Sequence, residues 1–257
     1  MGGLAFRQKF GIESKRLSNE DFIKFSNFVE PVLYNYFNKV HSVRCYRNKE
    51  SHGDKDITVS DLKDKNNIHW RESLQKDLNA SHLIRNTSVN SYLIDGFQLD
   101  IDLVDASIFH THCFYSDHDP SGNLTGKLYH KFNIQYGGDG LFYMLRDLNN
   151  TYQLGKILIS QNNKKICEFL GLDYFKKLNG DFDTQEDIFK WIISSKYFDA
   201  RIFSFENMNH IARTRDRKRP SYNNFMKYIE DNCKDTQYNW PIKKDEWLEF
   251  INNYFPE

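Results

Sequence analysis

Residues 51–59 read SHGDKDITV, with Asp54 and Asp56 placed directly before an apolar run. A second pair of aspartates, Asp100 and Asp102, alternates with apolar residues in LDIDLV. Residues two positions apart on a β-strand point to the same face of a sheet, while the residues between them point to the other face. If the two strands are neighbours, three or four carboxylates converge on one polar patch.

Clustered carboxylates repel one another unless a cation lies between them, and hard divalent cations prefer oxygen ligands. Two Mg²⁺ or Mn²⁺ ions about 3.5–4 Å apart suit an in-line displacement at phosphorus. The alternative is structural, because GDKD can form a solvated turn and the second pair can belong to a solvated strand face. The repetition of the motif favours the metal hypothesis.

The motifs GDKDITV and LDIDLV resemble those of the nucleotidyltransferase superfamily typified by DNA polymerase beta. The segments MGGLAF, YRNKESHGD, GNLTGKLYHKFNIQYGGDGLFYMLRD and NHIARTRDRKRPSY are similar to the branch found in bacteriophages and large DNA viruses. The resemblance implies transfer of a nucleoside monophosphate from an NTP or dNTP to a hydroxyl, with release of pyrophosphate. A nucleic-acid 3′ end, of RNA, tRNA or DNA, is the expected acceptor.

The same resemblance implies roles for the aspartates. Asp54 and Asp56 correspond to the aspartate pair that binds both metal ions. Asp102 corresponds to the third carboxylate, which holds the catalytic metal and helps to activate the acceptor hydroxyl, and Asp100 competes with it for this role. The implied cofactor is a pair of Mg²⁺ or Mn²⁺ ions.

The chain departs from the superfamily where the triphosphate is held. Members usually carry Gly-Ser or Gly-Gly on a turn upstream of the aspartate pair, and residues 46–51 contain neither. Gly2 and Gly3 are one candidate substitute. The other is the segment directly before the pair, which consists of Ser51, His52 and Gly53.

Basic side chains supply further candidates for phosphate binding. Lys127 and Lys131 share one face of a predicted helix with His130. The strongest cluster stands before a proline, and its alternating members would share one side of an extended segment; it consists of Arg213, Arg215, Arg217, Lys218 and Arg219. The alternative is a solvated face in which Asp216 is the internal partner.

A histidine-rich segment invites comparison with zinc sites. Its members, His110, His112, Cys113 and His118, match none of the usual spacings of structural zinc, and aromatic residues surround them. We therefore expect them to serve in packing.

The hydrophobic pattern predicts an α+β protein with a polymerase beta-like core, in which a small mixed sheet is flanked by helices. Residues 1–120 are predicted to form the catalytic module, and residues 121–257 a mainly helical module that completes the substrate site. A helix is predicted at 18–39, capped by Ser18 and carrying an apolar stripe of Phe22, Phe25, Val29, Leu33 and Tyr36. Further helices are predicted at 68–78, 121–135, 163–170, after an Asp183 cap, 221–232 and 244–254. Strands are predicted at 40–47, 57–61, 91–95, 97–104, 141–146 and 153–159. Asp95-Gly96 is predicted to form a tight hairpin turn before 97–104, and residues 137–140 a turn between a helix and a strand.

Composition limits the classes of function. The chain has 35 basic and 35 acidic residues among 257, so a broad electrostatic attraction to nucleic acid is not expected. Four dispersed cysteines indicate a reducing, cytoplasmic setting, and the lack of a long apolar run indicates no membrane partner. The remaining alternatives are a small-molecule or protein acceptor, a non-catalytic nucleic-acid-binding module and a metal-dependent phosphohydrolase.

Overall fold

A computed structural model describes residues 5–147, 152–240 and 246–256 of the chain. The chain divides into two compact units: unit 1 is Met1–Val43 with Asn48–Cys113, and unit 2 is Arg44–Arg47 with Phe114–Glu257. This division differs from the predicted one at residue 120. Within unit 2, the short segment 44–47 is held by a hydrogen bond from the Arg47 N–H to the Phe182 carbonyl, at 2.9 Å.

Unit 1 is an α+β unit built around one sheet. Its elements are α1 (Ala5–Phe10), β1 (Leu17–Ser18), α2 (Asn19–Tyr36), β2 (Phe37–Ser42), β3 (Ser51–His52), β4 (Asp54–Leu62), α3 (Trp70–Asp77), β5 (His82–Arg85), β6 (Val89–Ile94), β7 (Phe97–Leu103) and α4 (Phe109–Ser116), which runs past the boundary.

Helix α2 confirms the clearest helical pattern of the sequence. The Ser18 side chain accepts a hydrogen bond from the Asp21 N–H and caps the first turn. The predicted stripe buries Val29 and Leu33 completely. The helix ends at Tyr36 rather than at 39, because the following residues pair as β2 with β4.

The five-stranded sheet is mixed, with the order β2-β4-β7-β6-β5. Strands β4 and β7 are parallel, and the other neighbouring pairs are antiparallel. One face of the two central strands carries the buried residues Ile57, Val59, Leu99 and Ile101, which pack in the same core as α2 and α3. The alternate residues, which include all four aspartates, therefore lie on the opposite face.

The turn between β6 and β7 confirms the predicted hairpin at Asp95-Gly96. Both residues have positive φ angles, 47° and 78° respectively, as a two-residue hairpin turn of this kind requires. Glycine adopts such angles without strain, and aspartate is among the residues that tolerate them. The local sequence therefore fixes the pairing of these two strands.

Unit 2 is mainly helical and contains a three-stranded antiparallel sheet of order β10-β9-β8. Its elements are α5 (Ser121–His130), β8 (Ile134–Gly137), β9 (Gly140–Arg146), β10 (Gln153–Ser160), α6 (Asn163–Leu170), α7 (Tyr174–Asn179), α8 (Gln185–Ile193), α9 (His210–Arg217), α10 (Pro220–Asn232), α11 (Glu246–Tyr254) and the 3-10 turns Ala200–Phe203 and Phe205–Asn207.

Several local expectations in unit 2 needed correction. The predicted helix 121–135 ends at His130, because residues 134–137 pair with β9, and the glycine-rich turn at 137–140 joins two strands rather than a helix and a strand. Helix α8 is capped by Thr184 instead of Asp183. The Thr184 side chain and Asp187 form a reciprocal capping box, which satisfies the backbone N–H groups at the start of the helix.

Candidate metal centre

Strands β4 and β7 bring three carboxylates together. Their register places Asp56 opposite Asp100 and Asp54 opposite Gln98. Asp54, Asp56 and Asp100 each offer an oxygen within 4.8 Å of the others, and we call these three residues the carboxylate group. Within residues 5–147, 152–240 and 246–256, no other set of three or more His, Cys, Asp or Glu side chains is as closely grouped.

The environment of the carboxylate group favours a cation. Burial raises the pKa of Asp100, and the charge of Asp54 acts in the same direction, whereas the polar side chains of Ser91 and Gln98 oppose the rise. The Oδ1 atom of Asp100 is buried and accepts no hydrogen bond from the described part of the chain. Asp56 is exposed, so solvent can reach the group. Three carboxylates and an unpaired buried oxygen fit a hard divalent ion such as Mg²⁺ or Mn²⁺.

Asp102, predicted as the third carboxylate, lies outside the carboxylate group. It pairs in register with Thr58, and its Oδ2 lies 3.0 Å from Nε2 of His112. Burial raises the pKa of Asp102, but the hydrogen bond and charge of His112, with a hydrogen bond from Ser88, outweigh burial and leave that pKa below its ordinary value. Asp100, the competing candidate, is the residue that joins Asp54 and Asp56 in the carboxylate group.

The segment before β4 differs from a simple phosphate loop. The Ser51 Oγ and carbonyl each accept a hydrogen bond from the Arg16 guanidinium at 3.0 Å. His52 is buried and stacks on Phe22 with ring centroids 3.7 Å apart. Burial lowers the pKa of His52 to about 4, and the neighbouring cations add to that effect, so the imidazole is neutral near pH 7. The His52 side chain therefore supplies no positive charge there.

The remaining candidates for holding the triphosphate are the glycines Gly53, Gly2 and Gly3. Gly53 is buried in the bend between β3 and β4. Gly2 and Gly3 lie outside the described residues.

The basic run is helical, and the prediction of an extended segment was wrong. Helix α9 begins at an Asn209 cap, whose side chain accepts a hydrogen bond from the Ala212 N–H. The helix distributes its alternating arginines around its circumference instead of lining them along one side. Arg213 donates to the carbonyls of Phe205 and Met208 at 2.9 and 2.8 Å, so its guanidinium is committed within unit 2.

Asp216 is the internal partner of the basic run. It is fully buried, and it accepts from Arg215 at 2.8 Å and from Lys127 at 2.8 Å. Burial alone would raise the pKa of Asp216, but these two cations hold it below its usual range. Arg217 and Lys218 are exposed. The alternative in which Asp216 is an internal partner of the basic residues therefore accounts for Arg215 and Lys127.

The two remaining basic candidates have different surroundings. Arg219 is half-buried and forms the N-cap position of α10. Lys131 is exposed, with its Nζ 5.9 Å from the ring centroid of Trp240. Neither side chain is tied to a buried carboxylate in the contacts of the described residues.

Sequence reasoning missed Gln98, which donates from Nε2 to the Oδ2 of Asp100 at 2.7 Å. The signal was present, because Gln98, Asp100 and Asp102 are alternate polar residues of a single strand. It also missed Arg16 and Lys49, whose charges act on His52. Lys49 stands two residues before Ser51 in the chain, whereas nothing in the local sequence around Arg16 points to the segment before β4.

No protein-family model matches the chain, and no curated protein matches it. Among the helices of the described residues, none has both the length and the apolar character required to cross a membrane. The case for function therefore depends on the geometry of unit 1 and on the motifs that produce it.

Proposed function

We propose that this protein is a metal-dependent nucleotidyltransferase that moves a nucleoside monophosphate from an NTP or dNTP to a hydroxyl acceptor and releases pyrophosphate. The observation that carries the proposal is the convergence of Asp54, Asp56 and Asp100 on neighbouring parallel strands. This arrangement resembles the aspartate pair and third carboxylate of the polymerase beta-like superfamily, and we assign Asp100 to the third place. The polymerase beta-like form of the α+β fold is part of the proposal.

The residues of unit 1 support distinct parts of this chemistry. Asp54 and Asp56 would hold two divalent ions, and Asp100 would direct its unpaired oxygen to one of them. Bound Mg²⁺ or Mn²⁺ would lower the pKa of the attacking hydroxyl and stabilise charge on the leaving pyrophosphate. Asp102 lies on the same strand face as the carboxylate group, and His112 of α4 contacts it. Asp102 therefore adds a further negative charge beside the group.

We assign the phosphates of the substrate to basic side chains that are exposed or half-buried. Arg16 and Lys49 flank Ser51 and His52, and they offer positive charge near the start of β4, where the carboxylate group begins. In unit 2, Arg217 and Lys218 are exposed basic side chains of the kind that contact a nucleic-acid backbone. A nucleic-acid 3′ end is the acceptor that we propose.

The test incubates the purified chain with Mg²⁺ or Mn²⁺, each α-labelled NTP or dNTP in turn, and a mixture of tRNA, single-stranded DNA and primed duplex. Asp54→Asn and Asp56→Asn are the test variants. Asp61→Asn is the matched control, because Asp61 is an exposed aspartate of the same strand that bonds to Asn38. We expect label in one nucleic acid, pyrophosphate as product, and loss of both only in the test variants.

The other outcomes separate the alternatives. Release of inorganic phosphate without transfer would indicate a phosphohydrolase. Metal-dependent NTP binding without label in any nucleic acid would point to a small-molecule or protein acceptor. Nucleic-acid binding without NTP binding would indicate a non-catalytic module and overturn the proposal.

A further inference from the structure

Gln98 connects the carboxylate group to the N-terminal helix. Its side chain is 3% exposed, and it lies on the aspartate-bearing face of β7, opposite Asp54 in the register with β4. Its Nε2 donates to the Oδ2 of Asp100 at 2.7 Å, and its Oε1 accepts from the Ala5 N–H at 3.2 Å. One amide therefore joins residues that are far apart in the chain.

The two contacts fix which way the amide points. A backbone N–H can only donate, so the oxygen of Gln98 must face Ala5. An ionised carboxylate can only accept, so the amide nitrogen must face Asp100. Rotating the amide by half a turn would set donor against donor and acceptor against acceptor.

The orientation of Gln98 determines which oxygen of Asp100 is available. Oδ2 is occupied by the Gln98 amide, whereas Oδ1 is buried and accepts no hydrogen bond from the described part of the chain. A carboxylate whose second oxygen is held by a neighbour presents its first oxygen in one direction. Such outer contacts orient metal ligands and tune their affinity.

Helix α1 packs on the face of the sheet that carries Gln98. Phe6 is fully buried and packs with Ile84 and Leu93. Leu93 pairs in register with Gln98, and residues paired across antiparallel strands share a face. The anchor of α1 therefore lies beside the polar face that carries the carboxylate group.

We propose that Gln98 is a positioning residue through which the N–H of Ala5, at the start of α1, sets the orientation of Asp100, so that divalent-ion affinity depends on the N-terminal helix. This inference rests on the metal-binding part of the proposed function. It adds that metal binding depends on helix α1, which is remote in sequence from every aspartate of the carboxylate group.

The test measures Mn²⁺ affinity of the full chain, without nucleotide, from the electron paramagnetic resonance signal of free Mn²⁺. Gln98→Leu removes both contacts at similar size. Ala5→Pro removes only the N–H donor, at a helix-start position where proline is tolerated. Ala5→Gly keeps the donor, and Gln75→Leu removes a half-buried glutamine that bonds to the Ala80 carbonyl instead.

We expect Gln98→Leu to weaken Mn²⁺ binding on the order of 10- to 100-fold. Ala5→Pro should weaken it by a smaller factor, on the order of 5-fold. Adding Ala5→Pro to Gln98→Leu should cause no further loss, because both changes act through the same amide. Ala5→Gly and Gln75→Leu should bind Mn²⁺ as the parent chain does, and circular dichroism should confirm that every variant is folded.

Unchanged affinity in folded Gln98→Leu would overturn the inference, as would additive effects of the two changes or absence of Mn²⁺ binding by the parent chain. Failure of the proposed function gives a different pattern. If the parent binds Mn²⁺ in a Gln98-dependent manner yet transfers no nucleotide, the positioning role stands and the nucleotidyltransferase proposal falls.

Discussion

His118 should make the stability of unit 2 depend on pH. Its imidazole is 1% exposed, and burial lowers its pKa from 6.5 to about 4. The cations Lys177 and Arg44 lower that pKa further, while Asp117 and a backbone hydrogen bond at Cys45 act against the shift. Folding therefore holds this imidazole in its neutral form.

The magnitude follows from the two pKa values. Because the pKa is lower in the folded state, the unfolded chain binds the proton more strongly between pH 6.5 and about 4. The stabilisation is fully present above pH 6.5 and is lost as the pH falls towards 4. The complete shift corresponds to about 3 kcal/mol, and most of it is lost between about pH 7.5 and 4.5.

Urea unfolding followed by tryptophan fluorescence can isolate this effect. A Trp70→Phe background removes the tryptophan of unit 1, so the remaining tryptophans report on unit 2. His118→Asn removes the titrating ring and suits a site with a φ of 62°, because asparagine tolerates this conformation. His210→Asn replaces an exposed histidine of the same unit and serves as the control.

The decisive quantity is the difference between two pH dependences, because the absolute stability of His118→Asn also reflects altered packing. We expect the background and His210→Asn to lose on the order of 2 kcal/mol more stability than His118→Asn between about pH 7.5 and 4.5. Equal losses in all three proteins would refute the argument that burial holds His118 neutral.

Three further predictions concern the two units. Asp100→Asn should weaken Mn²⁺ binding on the order of 100-fold and abolish nucleotide transfer, whereas Asp102→Asn should weaken Mn²⁺ binding less than about 10-fold. If the Mn²⁺ titration instead shows the larger loss for Asp102→Asn, Asp102 is the third ligand. Asp216→Asn should destabilise unit 2 by about 3 kcal/mol in urea unfolding, because it leaves the largely buried Lys127 ammonium without its carboxylate, whereas Arg217→Ala at an exposed position should stay within about 0.5 kcal/mol. Thr184→Ala should cost about 1 kcal/mol through loss of the α8 cap, and an unchanged unfolding midpoint would contradict the capping geometry.

Much of the fold was visible in the sequence because it follows from local patterns. The cap at Ser18, the apolar stripe of α2 and the turn at Asp95-Gly96 each depend on residues only a few positions apart, and the structure confirms all three. The basic run was mispredicted because its local pattern alone was used. Alternating charges suggested an extended segment, whereas the Asn209 cap and the ion pairs of the buried Asp216 favour a helix there.

The sequence by itself determined that Asp54 shares a strand face with Asp56, and Asp100 with Asp102, since residues two positions apart on a strand always do. Only the tertiary structure decided that Asp56 faces Asp100 while Asp102 faces Thr58 and contacts His112. The reason is that the pairing of parallel strands is non-local: a shift by two residues keeps every side chain on its face but exchanges its partner. The contact between Ala5 and Gln98, which joins the N-terminus to the carboxylate group, arises in the same way from packing across distant segments.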